Sequence, residues 1–266
     1  MNIIYIGDFM GERGIEVVRL VLPGLRKAYR PELVIAQAEN VTDGKGLSKD
    51  DFKRLRALGI DFCTGGNWTL HLDEIYDYLA DPQQPVIRPA NYPEGTPGRG
   101  WKYIDTKQGK ILIISLLGSI VGKDSDKSVD NPLKVIDDIL DENKDIKRVG
   151  TIVNFHGDFS SEKRVIGYYL DGRVTGVIGD HWHVPTADAM VLPKGTAHIT
   201  DVGMCGSLHS SLGVKTETII NRWRDSKVNR NELETAGPLQ FNAVLITSDP
   251  VTGLATNIQH IQKILD

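Results

Sequence analysis

Residues 2–8 read NIIYIGD and residues 33–40 read LVIAQAEN, and these two stretches decide the fold class. Each is a short apolar run, typical of a buried strand, that leads into an acidic residue. Apolar side chains recur at helical spacing over residues 14–29 between them, although Pro23 predicts a kink or a break in that helix. A strand, a helix and a strand in this order are typical of an α/β core with partly parallel strands.

The alternation of helices and strands continues along the chain. Ser48 is expected to cap a helix that runs to Leu58, because Asp50 and Asp51 follow in its first turn. A further helix is predicted over residues 70–79. Alternating apolar residues at 241–245 and 255–261 suit late strands that close a second sheet. The other predicted elements are strands at 61–64, 101–105, 110–117, 149–155 and 174–179 and helices at 132–143 and 161–170.

The composition indicates an ordinary globular chain. Its 266 residues are 40% hydrophobic and 25% charged, which provides enough apolar material for a sizeable core. This length suits one large domain or two small ones, but no segment has the composition of a linker that could separate two domains. We therefore expect a single domain over residues 1–266.

Charge and cysteine content exclude several classes of protein. The net charge is −4 and the pI is about 6.0, and no block of Lys or Arg suggests an extended nucleic-acid or anionic-membrane surface. No apolar run approaches the roughly 20 residues that span a bilayer. Two cysteines, Cys63 and Cys205, are too few for a disulfide framework. With no basic signal-peptide region before Asp8, these features favour a reduced, cytoplasmic protein.

Polar side chains follow the apolar runs at five places in the sequence. Strand ends are where α/β folds present loops to a ligand, so these side chains are expected to meet. Carboxylate, amide and imidazole groups are ligands that hard divalent cations accept, and Glu39 is the best candidate to bridge two ions. The sequence therefore predicts a two-metal site. Its candidate residues are Asp8, Glu39, Asn40, Asn67, His156, His181 and His183.

Two ions about 3.5–4 Å apart can activate a water and clamp a phosphoryl group for in-line attack, without a protein nucleophile. The reaction gains roughly 10²–10⁴ in rate from an acid near the leaving oxygen. Nucleotides remain candidate ligands despite the acidic chain, because metals supply positive charge locally.

Each candidate residue also has an ordinary structural explanation. Asp8 could be a helix N-cap, Asn67 beside two glycines is a good turn former, and His156 could be a core histidine. The occurrence of all these candidate ligands together, each after an apolar run, favours metal binding over the separate structural explanations. A glycine-rich run at residues 95–100 does not indicate a phosphate loop, because it lacks the Lys-Ser/Thr ending and no helix follows.

Several longer motifs resemble one family. The sequence is similar to the bacterial YmdB-type branch of the calcineurin-like metallophosphoesterases, from residue 6 to about residue 204, with weaker similarity to the C-terminus. RPANYPEGTPGRG at residues 88–100 and ITDVGM at residues 199–204 are the most specific runs. The shorter matching runs are IGDFMG, AEN, GGN, SEK, YLDGRV and TAD.

The resemblance implies a four-layer αββα sandwich of two mixed β-sheets flanked by helices. It implies phosphodiesterase activity on small substrates such as cyclic nucleotides, with two metal ions, of which iron is favoured and manganese or zinc also fit. It places Asp8, Glu39 and His183 on the first metal and Glu39, Asn67, His156 and His181 on the second. Asn40 would support the first metal or the phosphate, and the resemblance is compatible with a homo-oligomer.

One position departs from the family pattern. The family has Gly-Asn-His-Thr-Trp where this chain has Gly66-Asn67-Trp68-Thr69-Leu70. Trp68 thus stands where the family has its catalytic imidazole. An indole neither takes up nor releases a proton near neutral pH, so Trp68 cannot take over that role. His71 could replace it if residue 70 onward is helical, and Asp158 or Asp180 could act as a substitute proton donor. Trp68 could instead fill the vacated space or stack on a nucleobase.

These observations support three hypotheses. The leading one is a dinuclear-metal phosphodiesterase whose activity is reduced or altered by Trp68. The second is a metal-dependent nucleotide- or phosphate-binding regulatory protein with little turnover. The third is a phosphomonoesterase, which differs from the first only in its substrate.

Overall fold

A computed structural model describes residues 1–119, 128–226 and 230–266 of the chain. Strand β1 (Asn2–Ile6) shows how the layers are arranged. Its side chains alternate between two separate cores: Ile3 and Tyr5 pack toward a second sheet, and Ile4 and Ile6 pack toward helices. A strand that is buried on both faces lies inside a layered α/β structure, as the continuous apolar run predicts.

The first sheet holds β1 next to two parallel strands, which follow it at one side. On the other side of β1 lies β12 (Leu239–Ser248), antiparallel to it and paired in turn with β13 (Ala255–Leu265). The first residues of β12 also pair with β11 (Met204–Ser207), which in turn pairs in parallel with β2 (Asp8–Phe9). The remaining strands of this sheet are β3 (Leu33–Gln37) and β4 (Phe62–Thr64).

The second sheet has four parallel strands in its interior and an antiparallel strand at each edge. Its strand order is β5 (Trp101–Thr106), β6 (Gly109–Leu117), β7 (Gly150–His156), β8 (Gly176–Asp180), β10 (Ala197–Ile199) and β9 (Met190–Val191).

Helices cover the outer face of each sheet. Phe52 and Leu55 of α2 pack on the first sheet together with α1 and α3, while Ile136 of α4 and Ile166 of α5 pack on the second. This arrangement confirms the predicted four-layer αββα sandwich. Within the described ranges the α-helices are α1 (Gly11–Tyr29), α2 (Lys49–Ala57), α3 (Tyr76–Ala80), α4 (Pro132–Glu142), α5 (Ser160–Tyr169) and α6 (Thr216–Asp225).

The structure tests two predictions about helices, the cap at Ser48 and the kink or break at Pro23. Ser48 caps α2 as predicted, since its side-chain oxygen accepts the backbone N–H of Asp51 at 3.0 Å. Pro23 does not break α1, which is one helix from Gly11 to Tyr29.

The predicted start of one helix and the predicted sheet of the two late strands were wrong. Residues 70–72 form a turn, and helical structure begins only at Asp73 with a short 3-10 helix before α3. The turn is fixed by Thr69, whose hydroxyl donates to the carbonyl of Gly66 at 2.7 Å. The late strands β12 and β13 do not close a second sheet but belong to the first, beside β1.

In the parts of the chain that the structure describes, no helix is long and apolar enough to cross a membrane.

Candidate active site

The parallel strands of both sheets end at a common region, and the predicted residues lie there. Asp8 follows β1 across one glycine, and Glu39 lies two residues after the end of β3. Asn67 follows β4, while His156 is the last residue of β7 and its pairing partner in β8 is Asp180. The two sheets therefore contribute to one site, as expected for strand ends in an α/β fold.

His156 is the centre of the cluster and is fully buried. Its Nε2 lies 2.9 Å from Glu39 Oε1 and 2.9 Å from Asn67 Oδ1, so two oxygen atoms converge on one ring nitrogen. Its Nδ1 lies 2.7 Å from Asp180 Oδ1. A ring whose Nδ1–H is donated to a carboxylate presents its Nε2 to a metal, which is the usual arrangement of a metal-binding histidine.

Asp180 orients this histidine and is itself held by several donors. Its Oδ2 accepts from the Tyr5 hydroxyl at 3.0 Å, from Gln37 Nε2 at 3.2 Å and from Asn154 Nδ2 at 2.5 Å. Both oxygens of Asp180 are thus occupied by contacts with buried side chains and are turned away from a substrate. Asp180 is therefore not suited to be the substitute proton donor considered above, and the sequence signal for its actual role is only its place before His181.

A second part of the cluster surrounds Asp8. Its Oδ2 lies 3.7 Å from His183 Nε2 and accepts the backbone N–H of His181 at 3.4 Å. Its Oδ1 is buried and has no hydrogen-bond partner among the described residues, and the same holds for Oδ1 of Asn40. Buried oxygens without partners are rare because each one costs free energy, so two of them together fit a cation that both could approach.

The charges of the cluster are strongly coupled. Burial and the neighbouring charge of Asp180 raise the pKa of Asp8 well above its ordinary value. Burial would lower the pKa of His156, but the charges of Glu39 and Asp180 raise it well above its ordinary value. The charge of His156 in turn outweighs burial and lowers the pKa of Glu39. The buried carboxylates of the cluster thus outnumber the positive charges near them. Bound cations would compensate the excess negative charge.

The loop after β8 resolves how the two nearby histidines are directed. His181 and His183 both adopt the left-handed backbone region, with φ of 100° and 62°. The ring of His181 faces His156 at a centroid distance of 4.4 Å, and its Nε2 lies 3.1 Å from Asp158. The His183 ring turns instead to Asp8, so the two side chains diverge within a tight loop.

Trp182 anchors this loop from three directions. Its backbone N–H donates to Asp201 Oδ2 at 2.9 Å, its indole N–H donates to the carbonyl of Asp158 at 3.0 Å, and its ring lies under the ammonium of Lys163 at 4.0 Å. Lys163 is fully buried and donates to Asp201 Oδ2 and to the carbonyl of Asp180. The sequence did not reveal this role, because the partners are 17 and 38 residues away along the chain.

Gly66 makes the close approach of these groups possible. A Cβ at this position would lie 2.5 Å from Glu39 Oε2 and 2.5 Å from Cδ2 of His156. Only a residue without a side chain therefore fits between the carboxylate and the imidazole.

Trp68 and His71 leave the buried cluster toward solvent. The backbone N–H of Trp68 donates to Glu39 Oε2 at 2.8 Å, while the indole meets the ring of His71 edge-on at 5.4 Å. His71 thus reaches Trp68 although the turn is not helical, because its backbone N–H donates to the Trp68 carbonyl at 3.0 Å. Both rings line a pocket of about 630 Å³ that also contains Asn67 and Tyr92.

The residues fit a site for metal ions. Ligand atoms of Glu39, His156 and His181 lie within 4.8 Å of one another, and those of Asp8, His156 and Asp180 do so as well. Neither cysteine belongs to these groups, and burial raises the pKa of both thiols to about 12. The donors are thus carboxylate, amide and imidazole groups, which suit iron, manganese or zinc.

Known proteins resemble the chain over nearly its whole length. A family profile described as YmdB-like protein matches residues 4–261. A 2',3'-cyclic-nucleotide 2'-phosphodiesterase of Bacillus subtilis (strain 168) is 38% identical over 262 residues, covering 98% of this chain and 96% of that protein. A crystal structure described as a novel phosphatase of Mycoplasma pneumoniae has a TM-score of 0.92 at 30% identity, with 100% and 94% of the two chains covered. A hypothetical protein from Thermus thermophilus has a TM-score of 0.89 at 35% identity, with both chains fully covered.

Proposed function

The chain belongs to the YmdB-like family, and we propose that it is a metal-dependent phosphodiesterase acting on small phosphodiesters such as cyclic nucleotides. The observation that carries this proposal is that carboxylate and imidazole atoms form two compact groups that share His156, and that Asp8 and Asn40 each have a buried oxygen without a hydrogen-bond partner among the described residues. The name of the Bacillus subtilis relative supports a cyclic-nucleotide substrate.

Two groups of residues would hold the metal ions. We assign Asp8, Glu39 and His183 to one ion and Glu39, Asn67, His156 and His181 to the other. The contact of Asp8 with His183 and the convergence of Glu39 and Asn67 on His156 support this division. When bound, such a metal pair supplies Lewis-acid polarisation of the phosphoryl oxygens and lowers the pKa of a nearby water.

Asn40 supports the same site through its oxygen. Its amide nitrogen donates one N–H to the carbonyl of Gly44 at 2.9 Å, while its Oδ1 is buried and has no hydrogen-bond partner among the described residues. An amide oxygen accepts hydrogen bonds and ligates cations, but it repels a phosphate oxygen. We therefore favour a role for Asn40 at the first metal over direct phosphate binding.

Protonation of the leaving oxygen is the step in which this chain should differ from the family pattern, which has a histidine at the position of Trp68. Trp68 cannot donate the proton. His71 is exposed and touches Trp68, which makes it the nearest imidazole at the mouth of the site. Asp158 pairs with His181 and is a second candidate. We expect a lower rate on substrates with poor leaving groups than on activated aryl phosphodiesters, which need less protonation.

Metal analysis combined with activity tests the proposal. Purified protein should hold about two equivalents of iron, manganese or zinc per chain and should hydrolyse a 2',3'-cyclic nucleotide. Chelation should abolish turnover, and His156→Ala should lower both metal content and activity. Trp223→Ala, at an exposed position of α6, is the matched control. A protein that neither contains metal nor takes it up on soaking would contradict the proposal.

A regulatory binding protein is the second candidate, and the presence of Trp68 in place of an imidazole favours it. Tight nucleotide binding by the metal-loaded protein without turnover would identify this function. A phosphomonoesterase is distinguished by a substrate panel. The single domain, the cytoplasmic location and the homo-oligomer stay predictions, which limited proteolysis, cell fractionation and sedimentation would test.

A further inference from the structure

We propose that the pocket between Trp68 and Tyr92 is a nucleobase subsite, in which the base of a nucleotide stacks on the indole while its phosphate occupies the metal centre. This inference rests on the proposed function and deepens it, because it selects nucleotides among small phosphodiesters. It also gives Trp68 a positive role in place of the lost imidazole.

The pocket shares a wall with the metal centre. Asn67 lines it and also places its Oδ1 2.9 Å from His156 Nε2. Trp68 lines it as well, and the backbone N–H of Trp68 is bonded to Glu39. A phosphate held between these ligands therefore has the pocket directly beside it. The volume of about 630 Å³ lies in the range of small-molecule sites and leaves room for a nucleoside.

The lining has the chemistry of a stacking site. Trp68 and Tyr92 supply aromatic surface from two different segments, and Leu70 and Pro93 supply aliphatic surface. Every base offers a π-face to such surfaces, irrespective of its identity. Among the lining residues that the structure describes, none is Asp, Glu, Lys or Arg. An uncharged aromatic group therefore fits better than a second phosphate.

Trp68 is held in a fixed position before any ligand binds. Its backbone is bonded to Glu39, its ring lies perpendicular to that of His71, and the ammonium of Lys45 lies over one face of the ring at 4.3 Å from the centroid, so a base would use the other face. A cation near an indole is attracted to the ring. A ring already ordered by such contacts loses little conformational entropy when a base stacks on it.

The opposite wall is also preformed. Asn91, next to Tyr92, is fully buried and its side chain bonds the backbone N–H and carbonyl of Leu117 at 2.8 Å each. Arg88 donates to carbonyls of the same proline-rich segment, including that of Thr96 at 3.2 Å. These bonds fix the segment that carries Tyr92 and give the RPANYPEGTPGRG run a physical role.

Binding of the reaction product tests the subsite without requiring turnover. Equilibrium dialysis of the metal-loaded protein should compare adenosine 3'-monophosphate with ribose 3-phosphate, which lacks the base. We expect the nucleotide to bind about tenfold more tightly, the scale of one stacked base. Trp68→Leu and Tyr92→Leu should reduce this ratio several-fold, Trp68→Phe should retain most of it, and Trp223→Leu is the control.

Activity gives a second readout. The ratio of kcat/KM for a 2',3'-cyclic nucleotide over ribose 2,3-cyclic phosphate should fall in Trp68→Leu, mainly through KM. Equal binding of the two dialysis ligands, or a ratio that Trp68→Leu leaves intact, would overturn the subsite even if the protein is a phosphodiesterase. Base-dependent binding without any hydrolysis would instead support the subsite and contradict the proposed phosphodiesterase function.

Discussion

Trp68 lies between the proposed metal ligands and the pocket that it lines with Tyr92. Replacing it with histidine separates two effects, protonation of the leaving group and stacking of the base. Trp68→His supplies an imidazole next to Asn67, so kcat on a cyclic nucleotide should rise about tenfold or more, given the usual gain from a general acid. KM should rise as well, because the stacking surface is lost. Steady-state kinetics measure both constants.

A companion substitution makes the Trp68 result specific. An activated aryl phosphodiester needs little leaving-group protonation, so its kcat should respond much less to Trp68→His. His71→Ala should lower kcat on the cyclic nucleotide if His71 supplies the proton in the natural sequence. Equal gains on both substrates would contradict a lost general acid.

Gly66 gives the sharpest steric test at the same scale. Gly66→Ala places a methyl group 2.5 Å from Glu39 Oε2 and from the His156 ring, so both ligands must shift. We expect metal affinity to fall at least tenfold, because displaced ligands lose their orientation. Metal content after dialysis against a weak chelator measures the change.

Gly24→Ala is the matched control for Gly66→Ala. Nothing lies within 4 Å of a Cβ at Gly24, which is in the interior of α1. Alanine should leave metal content unchanged there and raise helix stability by roughly 1 kcal/mol. Full metal content in Gly66→Ala would show that the site tolerates a methyl group and that the ligand positions are wrong.

At the scale of elements, the loop after β8 depends on the buried Lys163. Lys163→Met keeps a similar volume but leaves Asp201 as a buried charge without its ammonium partner. Breaking such a pair costs about 3–5 kcal/mol. The loop of His181 and His183 also loses the cation above Trp182, so metal content should fall together with the free energy of unfolding.

Urea unfolding and metal analysis measure the two effects of Lys163→Met. Lys147→Met, at an exposed position, should change neither quantity. If Lys163→Met lowered stability but retained full metal content, Lys163 would be a core ion pair only and not a residue that positions the histidine loop.

The segment after this loop carries an acid-sensitive contact. Asp188 accepts from Thr200 and Thr186, and these hydrogen bonds outweigh burial and lower its pKa to about 2. A carboxylate with a lowered pKa stabilises the fold above the ordinary value near 4, and this contribution is lost as pH falls from about 4 to about 2. Asp188→Asn should therefore cost about 2 kcal/mol at neutral pH and little near pH 2.

Unfolding curves of Asp188→Asn and the natural sequence, compared at about pH 7 and about pH 3, measure this dependence. The difference between the proteins removes the contribution of the other acids that titrate in the same range. A free-energy difference that is the same at both pH values would show that Asp188 acts through packing and not through its charge.

Elements with local signals could be predicted from the sequence, and elements fixed by distant contacts could not. Ser48 and its acidic first turn correctly marked the start of α2. Residues 70–72 contain no breaker, and their turn depends on the Thr69 hydroxyl bond to Gly66. Nine of the ten residues of β12 are buried, so its pattern cannot indicate which sheet it joins.

The residues of the site also fall into those that could be predicted from the sequence and those that could not. Strand-end carboxylates and histidines are visible in the sequence as polar residues after apolar runs, and the structure brings every one of them together. The residues that orient them, such as Asp180 and Lys163, are buried polar groups whose partners lie elsewhere in the chain. Such partnerships exist only after the two sheets have packed.

At the scale of the whole molecule, the proposed metal ligands come from both sheets. Asp8 and Glu39 come from the first sheet, and His156 and His181 follow strands of the second. Ions bound across this boundary stabilise only the packed state, by about 2.7 kcal/mol for a ligand at 100 times its Kd. Metal removal should therefore lower Tm by several degrees in one cooperative transition, measured by calorimetry.

A variant without metal provides the control for calorimetry. In His156→Ala, added metal should shift Tm far less than in the natural sequence. Two separate transitions after metal removal would show that the sheets unfold independently, which would contradict the prediction of a single domain over residues 1–266.

The position of β12 late in the sequence also determines when the first sheet can form during synthesis. Strand β1 is synthesised long before its partner β12, which begins at residue 239 and pairs with β1 through contacts such as Asn2 with Thr247. One edge of the nascent sheet therefore stays unpaired until β12 has left the ribosome, and unpaired strand edges are prone to aggregate. The chain can close this side of its first sheet, beside the strand that leads to Asp8, only after β12 has been synthesised.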